Sequence, residues 1–158
     1  MLDIVLTRID DRLIHGQVMT AWVKYSRGNR IVIVDDLVAK DDFIKSMIKM
    51  SVPTGIKLDI YSVEDAADVL KGDVHSNEKV IILVKKPEVI YELFSKEVEF
   101  KEINVGGMGA NPGRRKLYKN ISASDEEREI FKKIIEAGIK VSIRIIPDDK
   151  EVLVEKIL

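Results

Sequence analysis

Val80-Ile81-Ile82-Leu83-Val84 is an unbroken apolar run closed by Lys79 on one side and Lys85 on the other. A run this short, rich in β-branched side chains and with no polar face, reads as a strand buried on both sides. The same signature recurs outward in Ile31-Val32-Ile33-Val34, Ile4-Val5-Leu6, Ile103-Asn104-Val105 and Val141-Ser142-Ile143-Arg144-Ile145, with Ile56 to Tyr61 as a weaker sixth run. Between these runs the apolar residues fall at helical spacing: Val18, Trp22 and Tyr25; Ile44, Met47 and Ile48; Val89, Ile90 and Leu93; Ile130, Phe131, Ile134 and Ile135. Trp22 and Met47 read as core. Strands alternating with helices predict an α/β fold, an open and mainly parallel sheet of six to seven strands with helices on both faces. Ligands of such sheets collect at the carboxyl edge of the strands.

Helix ends carry matching chemistry. Ser62 with Asp65 and Ser124 with Glu127 fit capping boxes, Pro87 suits a first turn, and Gly28, Gly72 and Gly138 suit C-terminal caps. No repeat, linker or low-complexity stretch interrupts the pattern, so residues 1–158 are expected to form one domain. The irregular segment is Gly106 to Arg115, and loops placed by a rigid scaffold often carry function.

Composition removes most chemistries. The chain has 26 Lys+Arg against 27 Asp+Glu, too balanced for wholesale binding of nucleic acid or anionic membrane. It has no cysteine and two histidines, His15 and His75, which excludes disulfides, thiolate nucleophiles and a multi-histidine metal cage. No apolar run approaches a membrane span and the start of the chain lacks a signal-peptide pattern, so a cytoplasmic protein is expected. His75 sits in a polar connection and reads as an exposed spectator.

The first strand runs into Arg8-Ile9-Asp10-Asp11-Arg12-Leu13-Ile14-His15-Gly16-Gln17, after which the helical spacing begins. His15 therefore stands at or just before a helix N-terminus, where free N–H groups and the helix dipole disfavour the imidazolium and favour an attached anion. Arg12 brings a fork matched to phosphate oxygens, and Asp10 or Asp11 can fix the ring or orient the arginine. Gly16 lets the backbone approach a ligand closely. The plainer alternative is a histidine that caps the helix beside a surface cluster of ion pairs.

The stretch Arg8 to Val18 resembles the active-site segment of enzyme IIB subunits of the mannose/fructose/sorbose class of the bacterial phosphotransferase system. The resemblance continues through Val34-Asp35-Asp36 with Ala39 and Asp42, Pro53 with Gly55 to Leu58, Ile103 to Met108, and Gly138 and Pro147. It implies a protein-histidine phosphotransferase: His15 takes phosphate from a IIA protein or domain and donates it to a sugar entering through a membrane IIC/IID complex, with which the chain would associate. It further implies a phosphoryl group on the ring nitrogen nearer the backbone, Arg12 as charge stabiliser, Asp10 as orienting group, and no cofactor or metal beyond the transient phosphohistidine. Gly16, Gln17, Asn104, Gly106 and Gly107 are expected around the phosphate or as walls of its pocket. Physical chemistry agrees, since phosphoryl transfer needs an in-line nucleophile and neutralisation of three equatorial oxygens, and imidazole both attacks and leaves near neutral pH.

Other features carry competing readings. Gly106 to Gly109 with Gly113 lacks the G-x-G-x-x-G spacing, and Pro112 blocks the helix a dinucleotide site requires. That loop is either a pocket wall or a glycine turn into a short strand near Leu117 to Ile121. Arg114, Arg115, Lys116 and Lys119 form the densest basic cluster, either a docking face for an acidic partner or a solvated loop. Met19 is expected to face a partner beside His15. Asp35-Asp36 fits a turn and helix start better than a Mg²⁺ pair. Two rival functions remain: a regulatory or small-anion binding module, and a metal-free lyase or isomerase with His15 as general acid/base.

Overall fold

The computed structural model describes residues 1–73 and 77–158, so His75 lies outside the described residues. Along the chain come β1 (Ile4–Asp10), α1 (Gly16–Ser26), β2 (Arg30–Val34), α2 (Asp36–Ala39), α3 (Asp42–Met50), β3 (Lys57–Tyr61), α4 (Val63–Leu70), β4 (Val80–Val84), α5 (Pro87–Ser95), β5 (Glu102–Gly107), β6 (Arg115–Tyr118), β7 (Ile121–Ala123), α6 (Asp125–Glu136), β8 (Lys140–Ile143) and β9 (Val152–Leu153). Seven strands form one sheet in the order β3-β2-β4-β1-β5-β8-β9, parallel throughout except for the last pair. β6 and β7 make a separate hairpin.

The apolar runs divide their side chains between two cores, as strands buried on both faces must. Val32, Val34, Val80, Ile82 and Val84 pack with Ala66 and Leu70 of α4, Ile90 and Leu93 of α5, and Phe131 and Ile134 of α6. Their alternates Ile31, Ile33, Ile81 and Leu83 pack on the other face with Met19 of α1, Val38 of α2 and Ile48 of α3. Ser124 and Glu127 close a full capping box on α6. Ser62 caps α4, Pro87 opens α5, and Gly138 takes φ 88 after α6. Asp35 caps α2 and Asp36 accepts from the Val63 amide, which gives both carboxylates turn and helix-start work.

Four expectations need correction. Met47 is not core: it is 54% exposed, because α3 reaches the sheet face through Ile48 and turns Phe43, Met47 and Met50 outward. Gly28 does not supply the left-handed cap of α1, since Arg27 does so at φ 60; a Cβ at Gly28 would lie 2.5 Å from the Ile81 side chain, so that glycine serves close helix-to-sheet approach. Gly72 follows the right-handed C-cap Lys71 of α4 and is not in the left-handed region. The last long strand stops at Ile143, because the Arg144 and Ile145 carbonyls leave the sheet to accept hydrogen bonds from buried side chains described below.

The strand order places the site. From β1 the chain passes through α1 toward β2 on one side, and from β5 it passes through the hairpin and α6 toward β8 on the other. β1 and β5 are neighbours, so their following loops diverge and leave a crevice at the carboxyl edge.

Candidate functional site

Arg8 is the least expected feature of β1. It is fully buried on the face covered by α1, with its Cζ 5.2 Å from the Trp22 ring centroid. Nη1 donates to Asn104 Oδ1 at 2.6 Å and to the Arg144 carbonyl at 3.2 Å, while Nη2 donates to Asp10 Oδ2 at 3.2 Å and to the Ile145 carbonyl at 3.1 Å. Trp22 Nε1 donates to the same Ile145 carbonyl, and the Asn104 amide donates to that of Arg144. Burial pushes the Arg8 guanidinium down to about 10, against the opposing pull of Asp10.

The guanidinium lies across β5, where only glycine fits. A Cβ at Gly106 would fall within the Arg8 guanidinium, and one at Gly107 would lie 2.5 Å from Asp10 Oδ1. These two glycines therefore admit a buried ion pair into the seam between β1 and β5.

Asp10 passes that order outward. Its carboxylate is 1% exposed, and besides Arg8 it accepts from the Arg12 amide at 3.0 Å, from Arg12 Nε at 2.9 Å and from Arg12 Nη2 at 3.0 Å. Burial alone would raise its pKa, but the Arg12 hydrogen bonds and the two arginine charges hold it below the usual carboxylate range. Arg12 is thus gripped bidentately along one edge, with its side chain 45% exposed and Nη1 left outside the Asp10 contacts. Counted together, Arg8, Asp10 and Arg12 leave one positive charge, presented at the surface by Arg12.

Two residues after Leu13, which takes φ 57, the chain reaches His15 as N-cap of α1. Its carbonyl accepts from the Met19 amide, but its side chain makes no capping hydrogen bond and is exposed. Gly16 opens the helix at φ 43, and Gly16 and Gln17 are exposed. The first amides of α1 thus lack a side-chain acceptor at the place where His15 stands.

The remaining expected site residues are redistributed. Asn104 is buried and spends its amide on Arg8 and Arg144, so it shapes the support beneath the site rather than a phosphate wall. Met19 is 1% exposed in the core with Leu13, so it does not face a partner: the turn into α1 rotates it inward. Arg114, 9% exposed, is no free docking charge. Its Nε and Nη2 bind both Glu127 oxygens at 2.8 and 2.9 Å, and Nη1 reaches Asp11 at 3.1 Å. Arg115 is exposed beside Asp125. Asp11 also accepts from the Gly109 amide at 2.6 Å, so Asp10 orients Arg12 while Asp11 ties two loops together. Sequence reasoning missed Arg8; its signal was a charged residue inside a strand, between Thr7 and Ile9, in a chain that carries a Gly106-Gly107 pair at the end of another strand.

The crevice predicted by the strand order is an open cleft of about 650 Å³. Asp11 and Arg12 line it after β1, Gly106 and Gly107 at the end of β5 with Met108 to Ala110 beyond it, and Arg114, Lys116, Lys119, Asn120 and Ser122 from the hairpin side. The turn at its floor is pinned by the Asp11 amide on the Gly107 carbonyl and the Ser122 amide on the Met108 carbonyl.

Fold and site together define an open α/β protein that presents a basic, histidine-bearing loop at the switch point of its sheet. The comparisons narrow that class: the family described as PTS system sorbose subfamily IIB component matches residues 4–158, and the chain belongs to it. It is 36% identical over 146 residues to the sorbose-specific EIIB component of Lacticaseibacillus casei, covering 92% of this chain and 89% of that one. The mannose-specific EIIAB component of Escherichia coli is 33% identical over 144 residues, 91% of this chain and 45% of that protein. The crystal structure of the IIBSor domain of the sorbose permease from Klebsiella pneumoniae superposes with TM-score 0.90 at 33% identity, over 95% of this chain and 92% of that one.

Proposed function

We infer that this phosphotransferase-system IIB component carries phosphate for sugar uptake on His15, taking it from a IIA protein or domain and giving it to a sugar held by a membrane IIC/IID complex. The observation that supports this most is the exposed His15 imidazole, free of any capping bond, at the start of a helix whose amides have no side-chain cap. A ring nitrogen attacks the donor phosphorus in line as the donor nitrogen leaves with its electron pair. The amides at Gln17 and Val18 and the free edge of Arg12 are suited to the phosphoryl oxygens. In the second step a sugar hydroxyl attacks phosphorus, the nitrogen–phosphorus bond breaks, and the imidazole recovers its lone pair while the hydroxyl proton is lost. The name of the E. coli relative joins A and B components, which supports a IIA donor. No helix among the described residues is long and apolar enough to cross a membrane.

The test incubates the chain with labelled phosphoenolpyruvate, the general phosphotransferase proteins and a cognate IIA. The expected adduct is acid-labile and alkali-stable, and His15→Gln removes it while the circular dichroism spectrum is kept. Undiminished labelling of His15→Gln, or an acid-stable adduct, overturns the assignment.

A further inference from the structure

The cleft beside Arg12 holds more positive charge than its own carboxylates neutralise. Among the described residues, Lys116 and Lys119 line it with no acidic partner, whereas Arg114 in the same wall is committed to Glu127 and Asp11. Lys119 lies in the turn between the paired residues Tyr118 and Ile121, at φ 48 and over the Tyr118 ring at 5.5 Å. That φ suits the first position of the two-residue turn joining β6 to β7, and the turn brings Lys119 to the cleft wall. Arg12 adds the edge that Asp10 leaves free.

We propose that this cleft binds the phosphomonoester of a small polyol, and that its occupant suppresses phosphorylation of His15. The proposal rests on the carrier reading above, since a sugar phosphate is the class of product that transfer yields. Phosphomonoesters are close to dianionic at neutral pH, so two ammoniums and part of a guanidinium match the charge. Asn120 and Ser122 bring an amide and a hydroxyl to the same walls, groups that pair with sugar hydroxyls. The volume of about 650 Å³ falls among small-molecule sites, and the cations surround a concavity floored by Gly106 to Ala110. A concave seat favours a small molecule over the acidic face of a protein. Occupation would take up the free edge of Arg12, which the carrier reading assigns to the phosphoryl group.

Calorimetric titration of the full chain at low salt, with hexose 6-phosphate, hexose 1-phosphate, inorganic phosphate and free hexose as separate probes, tests this. A hexose phosphate is expected to bind more tightly than inorganic phosphate, and free hexose not at all. The double variant Lys116→Ala with Lys119→Ala should lose at least about tenfold in affinity, the equivalent of one charge-assisted contact, with its melting temperature unchanged. His15→Gln should bind as the unsubstituted chain does, so the cleft is tested even if His15 carries no phosphate. Added hexose phosphate should also slow labelling of His15. Absence of binding, undiminished binding by the double variant, or inorganic phosphate binding as tightly as the ester each overturns the proposal. So does a double variant that impairs only transfer from the donor protein, which would make the lysines a protein contact.

Discussion

Arg8 and Arg12 share one carboxylate but do different work. Removing one member of a buried pair leaves the other charge uncompensated, so Arg8→Met is expected to lower unfolding stability by about 3–5 kcal/mol in urea titrations. Gly106→Ala should act in the same direction, because its Cβ claims the space of the Arg8 guanidinium. The double variant should cost less than the two losses added, since both act on one group. An Arg8→Met chain within about 1 kcal/mol of the unsubstituted protein would show that the network is peripheral to folding. Arg12 is half outside, and its pair is expected to contribute only about 1 kcal/mol to stability. Its larger effect should be kinetic: losing a contact that strengthens in the transition state slows phosphoryl transfer by about 30- to 1000-fold. Rapid-quench rates and thermal melts on Arg12→Ala separate these effects, and near-native transfer with a lowered melting temperature would leave Arg12 a structural ion pair.

At the scale of elements, α5 and α6 pack side by side and bring two carboxylates of opposite tendency together. Glu88 in the first turn of α5 is half-buried with Oε1 unpartnered, and burial, reinforced by the charge of Glu127, raises its pKa. A carboxyl raised in the folded state burdens that state when ionised, and the burden disappears as pH falls below the folded pKa. Glu88→Gln should therefore raise the melting temperature at pH 7, with the gain shrinking toward pH 4. A gain independent of pH would mean that packing rather than charge is responsible. On α6 the capping box predicts a loss of about 1 kcal/mol for Ser124→Ala.

Across the whole molecule, the two walls of the cleft depend on carboxylates with lowered pKa values. Asp10 holds Arg12 on one side. On the other, Glu127 would be raised by burial, but Arg114 and Ser124 hold it below its ordinary value. Groups depressed in the folded state contribute stability that is present above their unfolded pKa and lost as pH falls through the folded one. Acid should thus weaken the fold from about pH 4 downward, the unfolded range of carboxyls. Glu127→Gln should be less stable at neutral pH and show a shallower acid slope by circular dichroism. Parallel slopes for the two proteins would remove Glu127 from the acid-sensitive set.

Local signals sufficed where the physics is local. Short apolar runs rich in β-branched residues, such as Val80 to Val84, favour strands covered on both faces, and Ser124 with Glu127 can close a cap within one helical turn, so the layered α/β fold and the helix start at His15 were legible in the chain. Strand order is not local: that β1 lies between β4 and β5, and so sets the loop after Asp10 against the turn after Gly107, depends on how two cores are shared across one sheet. From that placement follow the outcomes the residues alone did not reveal. Met19 turns inward, Arg114 is bound by Glu127 and Asp11, Asn104 holds Arg8 instead of a ligand, and Lys116 and Lys119 meet Arg12 across a cleft. A charge declares its type in the sequence, but its partner is whichever group the packed chain brings within reach, and only the tertiary structure decides that.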